Sequence, residues 1–260
     1  MTNRMPVLFL AHGNPMNALA DNAWTRAWKS IGERLEKRPA AVLAISAHWY
    51  VPGVAVTSSP HPRTIHDFGG FPKALFEMQY PAPGSAQLVE RVAALLAGTQ
   101  VSNDETWGLD HGTWSVLCHV FPEADVPVVQ LSIDETKPPQ WHYDLARRLA
   151  PLRDEGVLIV GSGNIVHNLE AAAWGDGRSK AHDWAERFDA LAAEFIERGQ
   201  HQPLIDYEAL GGDALLSIPT PEHYLPLLYA LAARQSGDAL TFPTSGIDLG
   251  SISMRSIAIG

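Results

Sequence analysis

Pro6-Val7-Leu8-Phe9-Leu10-Ala11-His12-Gly13-Asn14-Pro15 sets the pattern of the chain: a short apolar run that stops at a histidine and a turn. A run this short, bounded by turn residues, suits a strand buried on both faces. The pattern recurs at 41–46, 126–133 and 157–161. Between these runs, 23–35, 85–96, 140–149 and 179–198 carry apolar residues at helical spacing. Strands alternating with helices predict an α/β fold. We expect a single domain over 1–260, with a central, largely parallel or mixed sheet flanked by helices on both faces. Residues 54–58 and 252–259 read as additional strands, free to run antiparallel. The longest irregular stretch is 60–83, with prolines at 60, 62, 72, 81 and 83. A loop of that length in a compact domain usually serves function.

Composition narrows the classes. A chain of 260 residues, 46% hydrophobic and 18% charged, has enough apolar material for one sizeable core. The net charge of −10 comes without any basic run. Nucleic-acid binding needs a Lys/Arg face to displace counterions from phosphates, so no nucleic-acid partner is expected. Cys118 is the only cysteine, which excludes internal disulfides and multi-thiolate metal sites. The apolar run at 6–11 is too short for a signal-peptide core, and no segment reaches a membrane span of roughly 20 apolar residues. A cytoplasmic location with no membrane partner is the expectation. The sequence leaves the oligomeric state open.

Ligands of open α/β sheets bind beyond the carboxyl ends of the strands. His12 follows the first run, His48 the second in Ile45-Ser46-Ala47-His48-Trp49, and His167 follows Leu158-Ile159-Val160-Gly161-Ser162-Gly163-Asn164. The glycines of that last stretch would let the chain turn sharply. His223 stands in Pro219-Thr220-Pro221-Glu222-His223-Tyr224, where Pro221 resembles a first-turn helical proline. A lone histidine after a strand is more often a turn residue than a ligand. Four at separate element ends, three of them on one sheet edge if the strands are parallel, point to a metal site. Imidazole is largely neutral at pH 7, so it can donate a lone pair.

Other motifs carry less. Asp110, in Gly108-Leu109-Asp110-His111-Gly112-Thr113-Trp114, reads as a helix N-cap. His61 and His66 lie in the long loop, and His119, His142, His182 and His201 read as structural or exposed. Gly161-Ser162-Gly163 is neither a dinucleotide fingerprint nor a phosphate loop. Val160 and Asn164 stand where a nucleophile elbow needs glycines, so a Ser162/His167 hydrolase is a weak alternative.

Taken in order, Ala11-His12-Gly13-Asn14-Pro15, Ser46-Ala47-His48-Trp49, Asp67-Phe68-Gly69-Gly70-Phe71-Pro72, Leu109-Asp110-His111-Gly112-Thr113-Trp114, Gly161-Ser162-Gly163-Asn164 with His167-Asn168-Leu169, and Pro221-Glu222-His223-Tyr224 resemble the class III extradiol ring-cleavage dioxygenases. The likeness is to the 4,5-DOPA dioxygenase branch and covers nearly the whole chain. It implies a mononuclear non-haem Fe(II) site that opens a catechol with O2 to a muconic semialdehyde. By resemblance His12, His48 and His223 are the metal ligands. His167 is then the acid/base histidine, or a fourth ligand at rest, and His111 is a second catalytic pocket histidine. Asp110 and Phe71 are the expected substrate contacts, and 67–72 looks like the loop over the pocket. Other branches place a glutamate third, so Glu222 beside His223 is the competing ligand. Arg63 is the basic residue considered for a substrate carboxylate.

One divalent metal is therefore expected: Fe(II) for turnover, with Zn(II) able to occupy the same nitrogens in purified or crystallised protein, since zinc binds nitrogen sites more tightly. Two further readings stay open. One is a zinc-dependent hydrolase on the same histidines; the other is a non-catalytic binding module.

Overall fold

Alternate side chains of β1 (Val7–Ala11) go to opposite faces of the sheet, as the pleat demands. Val7 and Phe9 enter one core cluster, Leu8 and Leu10 the other. The computed structural model describes residues 4–174 and 180–260. The remaining strands are β2 (Ala41–Val51), β3 (Val54–Thr57), β4 (Val101–Asp104), β5 (Val128–Asp134), β6 (Val157–Gly163), β7 (Leu240–Thr244), β8 (Ile247–Asp248), β9 (Ile252–Ser253) and β10 (Ser256–Ile259). The helices are α1 (Ala23–Arg34), α2 (Lys73–Phe76), α3 (Ala86–Leu95), α4 (His111–Val120), α5 (Pro139–Arg147), α6 (Asp183–Glu197), α7 (His201–Ile205), α8 (Gly212–Ser217) and α9 (Leu225–Ala232).

An eight-stranded sheet runs in the order β4-β3-β5-β2-β6-β1-β10-β7. Its centre, β5-β2-β6-β1, is parallel, while β10 and β7 join antiparallel on one side. One face packs on side chains of α3, α5, α6 and α9, the other on α1 and α4, giving a single α/β domain with helices on both faces. No helix among the described residues is long and apolar enough to cross a membrane.

Several expected bounds move, for physical reasons. The run at 41–46 continues as β2 to Val51, and its pairing with β5 jumps from Ile45↔Leu131 to Tyr50↔Ile133. His48 therefore sits in the irregular stretch of a strand rather than after its end. Residues 252–259 divide into β9 and β10, separated at Met254 and Arg255. The strand at 54–58 is antiparallel to β5 but parallel to β4. The helix expected at 179–198 is α6, and Ser179 lies outside the described residues.

Gly161 and Gly163 do not turn the chain; both lie inside β6. What they allow is close approach. A Cβ at 161 would collide with the Pro226 carbonyl oxygen, and one at 163 with that of His223. Bare backbone there lets α9 and the turn before it lie directly against the sheet. Gly13 does turn the chain: its φ of +59° follows His12 at once.

Candidate metal centre

His12 and His48 meet across β6. Ala11 pairs with Gly163 and Ser46 with Ser162, so the carboxyl ends of β1 and β6 lie level with the irregular stretch of β2 that holds His48. His12 Nε2 and His48 Nε2 lie 3.3 Å apart. His223 joins from the turn before α9, which Asn164 N anchors by donating to the His223 carbonyl at 2.8 Å. The three rings each present a nitrogen within 4.8 Å of the others.

The outward nitrogens settle the proton positions. Ser162 Oγ donates to the Gly112 carbonyl, so toward His12 Nδ1, 2.9 Å away, it acts as acceptor. Carboxylates only accept, and Asp67 Oδ2 lies 3.3 Å from His48 Nδ1 while Glu222 Oε1 lies 3.1 Å from His223 Nδ1. Each ring thus carries its proton on Nδ1 and leaves the Nε2 lone pair free. Two lone pairs facing each other at 3.3 Å repel unless a cation lies between them. Nitrogens bound about 2.1 Å from one metal stand at about that spacing. The donor set fits a divalent metal.

Electrostatics agree. Burial, then the neighbouring histidines, pull His12 well below the ordinary imidazole range. His48 is lowered by burial and His111, against the opposing pull of Asp67. His223 is lowered by burial, then by His167 and the other rings. Neutral imidazoles are the ligating form.

His167 stacks on His223, with centroids 3.5 Å apart and planes 7° from parallel. It groups with Glu222 and His223 rather than with His12 and His48. Burial, and then His111, depress it to about 4, so near neutrality it is free to accept a proton. His111 packs against His48 at 3.8 Å between centroids. Burial would raise the Asp67 carboxyl, but hydrogen bonding and charge from His111, with charge from His48, outweigh it and hold it below the usual range.

A cavity of about 240 Å³ opens over these rings. His12, His48, His111, His167 and His223 line its floor; Phe68, Phe71, Leu169, Trp174, Leu249 and Ile252 form apolar walls. Phe68 meets His111 edge-on at 5.4 Å. The size suits a ligand of one ring, at the small end of binding cavities.

Phe71 stands on the wall as the sequence led us to expect, whereas Asp110 is not among the lining residues. Asp110 is fully buried as the N-cap of α4, accepting from Thr113 N, Ser46 Oγ and Gln130 Nε2. Burial, then the nearby Asp67, raise its carboxyl to about 6. A carboxyl held by three donors behind the wall has no free face for substrate. Arg63 is exposed, outside the cavity lining. Ser162 is fully buried and committed to His12 and Gly112, which leaves it no role as a nucleophile. Sequence reasoning did not single out Phe68, Trp174, Leu249 or Ile252, nor Asp67, and it weighed Ser162 only as a nucleophile, not as the partner of His12. Only the position of Asp67 and Phe68 within the 67–72 loop hinted at them.

Comparison with known proteins gives the same picture. The model of the family "Catalytic LigB subunit of aromatic ring-opening dioxygenase" matches residues 5–247. The chain is 50% identical over 263 residues to the 4,5-DOPA dioxygenase extradiol of Escherichia coli (strain K12), covering 100% of this chain and 96% of that protein. It is 39% identical over 237 residues to the Beta vulgaris protein of the same name, covering 89% of this chain and 87% of that one. A crystal structure of an uncharacterized Escherichia coli K12 protein superposes with TM-score 0.84 at 45% identity, covering 99% of this chain and 100% of that chain.

Proposed function

The chain belongs to the family of the catalytic LigB subunit of aromatic ring-opening dioxygenases and is an extradiol dioxygenase of the 4,5-DOPA dioxygenase kind; we propose that it opens a catechol such as DOPA to a muconic semialdehyde, on a site held by His12, His48 and His223. The observation that carries the assignment of these residues is the convergence of three neutral rings. The outer nitrogens of His12 and His223 are hydrogen-bonded and that of His48 faces the Asp67 carboxylate at 3.3 Å, at the floor of a cavity large enough for one ring. The family implies a non-haem metal, typically Fe(II), which when bound supplies the redox link between catecholate and O2.

The protein residues then have separable tasks. Three uncharged ligands leave the cation's charge to be balanced by the substrate, which favours the doubly deprotonated diol. His167, neutral above about pH 4, takes the second hydroxyl proton and returns it as the ring opens. His111, packed against His48 and 5.7 Å from His12 between ring centroids, contacts the reacting edge of the diol. Phe71 and Phe68 hold the aromatic plane, and with Leu169, Trp174 and Ile252 they keep bulk water from the reacting edge. The whole chain, 1–260, acts as one catalytic domain, and we place it in the cytoplasm, where its single cysteine needs no partner.

The test is anaerobic reconstitution with Fe(II), then oxygen-electrode assays against a panel of catechols, with product identification. Oxygen uptake stoichiometric with a semialdehyde product is expected. Zinc-loaded, iron-free protein should bind catechol without turnover, because zinc does not change redox state. Full-rate turnover by the zinc form, or no oxygen uptake with any catechol by the iron form, overturns the reading.

A further inference from the structure

Asp67 reaches two rings of the centre, His48 and His111. Its Oδ2 lies 3.3 Å from His48 Nδ1. Its Oδ1 accepts from the backbone N–H of His111 at 2.9 Å and lies 3.0 Å from His111 Nδ1. That ring nitrogen is buried and has no aligned acceptor, so its contact with Asp67 is one of proximity and charge. His111 begins α4, so Asp67 also caps a helix from another part of the chain, satisfying an N–H that the helix itself leaves orphaned. Asp110 takes the N–H of Thr113 in the same turn, and the two carboxylates divide the work without competing.

The segment bearing Asp67 is pinned close by. Ile65 N donates to the Leu109 carbonyl at 2.8 Å and Leu109 N to that of Arg63 at 2.8 Å. Trp114 Nε1 donates to the Ile65 carbonyl at 2.8 Å. The next residues, Phe68 and Phe71, are cavity wall. One short segment therefore supplies the apolar wall and the anchor of a ring on the floor.

We propose that Asp67 is a positioning residue for the metal centre, fixing the tautomer and orientation of His48 through Oδ2 while locking His111 and the start of α4 through Oδ1. The inference rests on the assignment of His48 as a ligand. With Asp67 in place, His48 is held with its proton outward and its lone pair inward before any cation arrives. Without it the ring is free to adopt the tautomer whose proton blocks Nε2, or to rotate toward the cavity. Partners of this kind in general set metal affinity by about 10- to 100-fold.

The experiment measures metal affinity directly, by chelator competition for Fe(II) and Co(II) under anaerobic conditions, in the wild type, Asp67→Ala and Asp67→Asn. Circular dichroism and thermal unfolding of the metal-free proteins report folding. Asp67→Ala is expected to weaken both metals 10- to 100-fold. Asp67→Asn keeps one accepting oxygen for the two donors, since its amide NH2 cannot accept, so it should recover part of that loss. In steady state Asp67→Asn should raise KM for catechol less than twofold once metal is saturating. Folded Asp67→Ala with binding at most threefold weaker than wild type, or folded Asp67→Asn no tighter than Asp67→Ala, overturns the proposal. If Asp67→Ala fails to fold, recovery in Asp67→Asn is replaced as the criterion by Asp67→Ser: affinity equal to wild type overturns it, and a tenfold loss supports it. Failure of the wild type to bind any divalent metal overturns the assignment of the site itself, and is distinct from either result.

Discussion

Replacing Gly163 by alanine puts one methyl group where the turn bearing His223 meets the sheet. The new Cβ would stand 3.1 Å from the His223 carbonyl carbon and 3.2 Å from Pro226 Cγ, and it would be closer still to the carbonyl oxygen. Against that oxygen it falls roughly 1 Å inside the 3.0 Å floor that real Cβ atoms respect. Both partners are constrained: Gly163 by its pairing with Ala11, His223 by the hydrogen bond to Asn164 N. The turn must therefore retreat by roughly 1 Å, carrying His223, the proposed third ligand, away from His12 and His48. Overpacking of this kind costs about 1–3 kcal/mol of stability, and a displacement of about 1 Å costs on the order of 100-fold in a site that depends on alignment. Urea unfolding of the metal-free protein and metal competition measure the two effects separately. Gly212→Ala is the matched control, since nothing stands within 4 Å of a Cβ there and the residue lies in α8. A Gly163→Ala protein with wild-type stability and metal affinity within twofold refutes the close-approach argument.

His167→Ala should keep metal affinity within a few-fold while lowering turnover about 10²- to 10⁴-fold, read from metal content and initial rates together; loss of the metal would instead make His167 a resting ligand. Glu222→Gln keeps an acceptor for His223 Nδ1 and should weaken metal binding by less than about tenfold, with Glu222→Ala lower again. Equal affinity in all three proteins would leave that hydrogen bond without a role. His142 and His167 are each depressed by burial from 6.5 to about 4, so the unfolded chain binds more protons than the folded one across that window. Metal-free protein should consequently lose stability as pH falls from about 6.5 toward 4, by up to about 3 kcal/mol for each histidine. Urea midpoints at pH 7, 5.5 and 4.5 check this, and a flat profile contradicts it.

The fold was legible where burial on both faces writes itself as an uninterrupted apolar run. β1 needs no neighbour to be recognised, and β2, β5 and β6 announce themselves in the same way. The edges do not. β4 is Val-Ser-Asn-Asp with two exposed side chains, and β7 contains Pro243, tolerated because an edge strand can leave a position unpaired. Their strand character comes from the neighbour they pair with. The continuation of β2 past His48 was hidden for a related reason: the change of register against β5 is a property of the pair, invisible in either strand alone. Gly161 and Gly163 were misread as turn glycines because a glycine's freedom and its lack of bulk leave the same mark in sequence. Only the Pro226 and His223 carbonyls show that bulk is what mattered.

For the site, residue type and element-end position pointed to the histidines, but not to what holds them. Each outer nitrogen meets a different group: His12 bonds to Ser162 on the adjoining strand, His48 faces Asp67 from the long loop at 3.3 Å, and His223 bonds to Glu222 beside it in sequence. Only the last could be guessed from spacing, and there the adjacency suggested a rival ligand. Under the proposed assignment, Glu222 on the outer nitrogen of His223 turns that rivalry into a division of labour. Two carboxylates would then lend negative charge to the centre through imidazole without occupying a place on the metal. Coulomb attraction weakens with distance, so charge placed one ring away compensates a divalent cation only in part. The remaining positive charge is what a doubly deprotonated diol neutralises, and what a neutral or singly charged aromatic cannot. On that assignment, choice of substrate by charge would follow from where the carboxylates stand, as much as from the shape of the apolar wall.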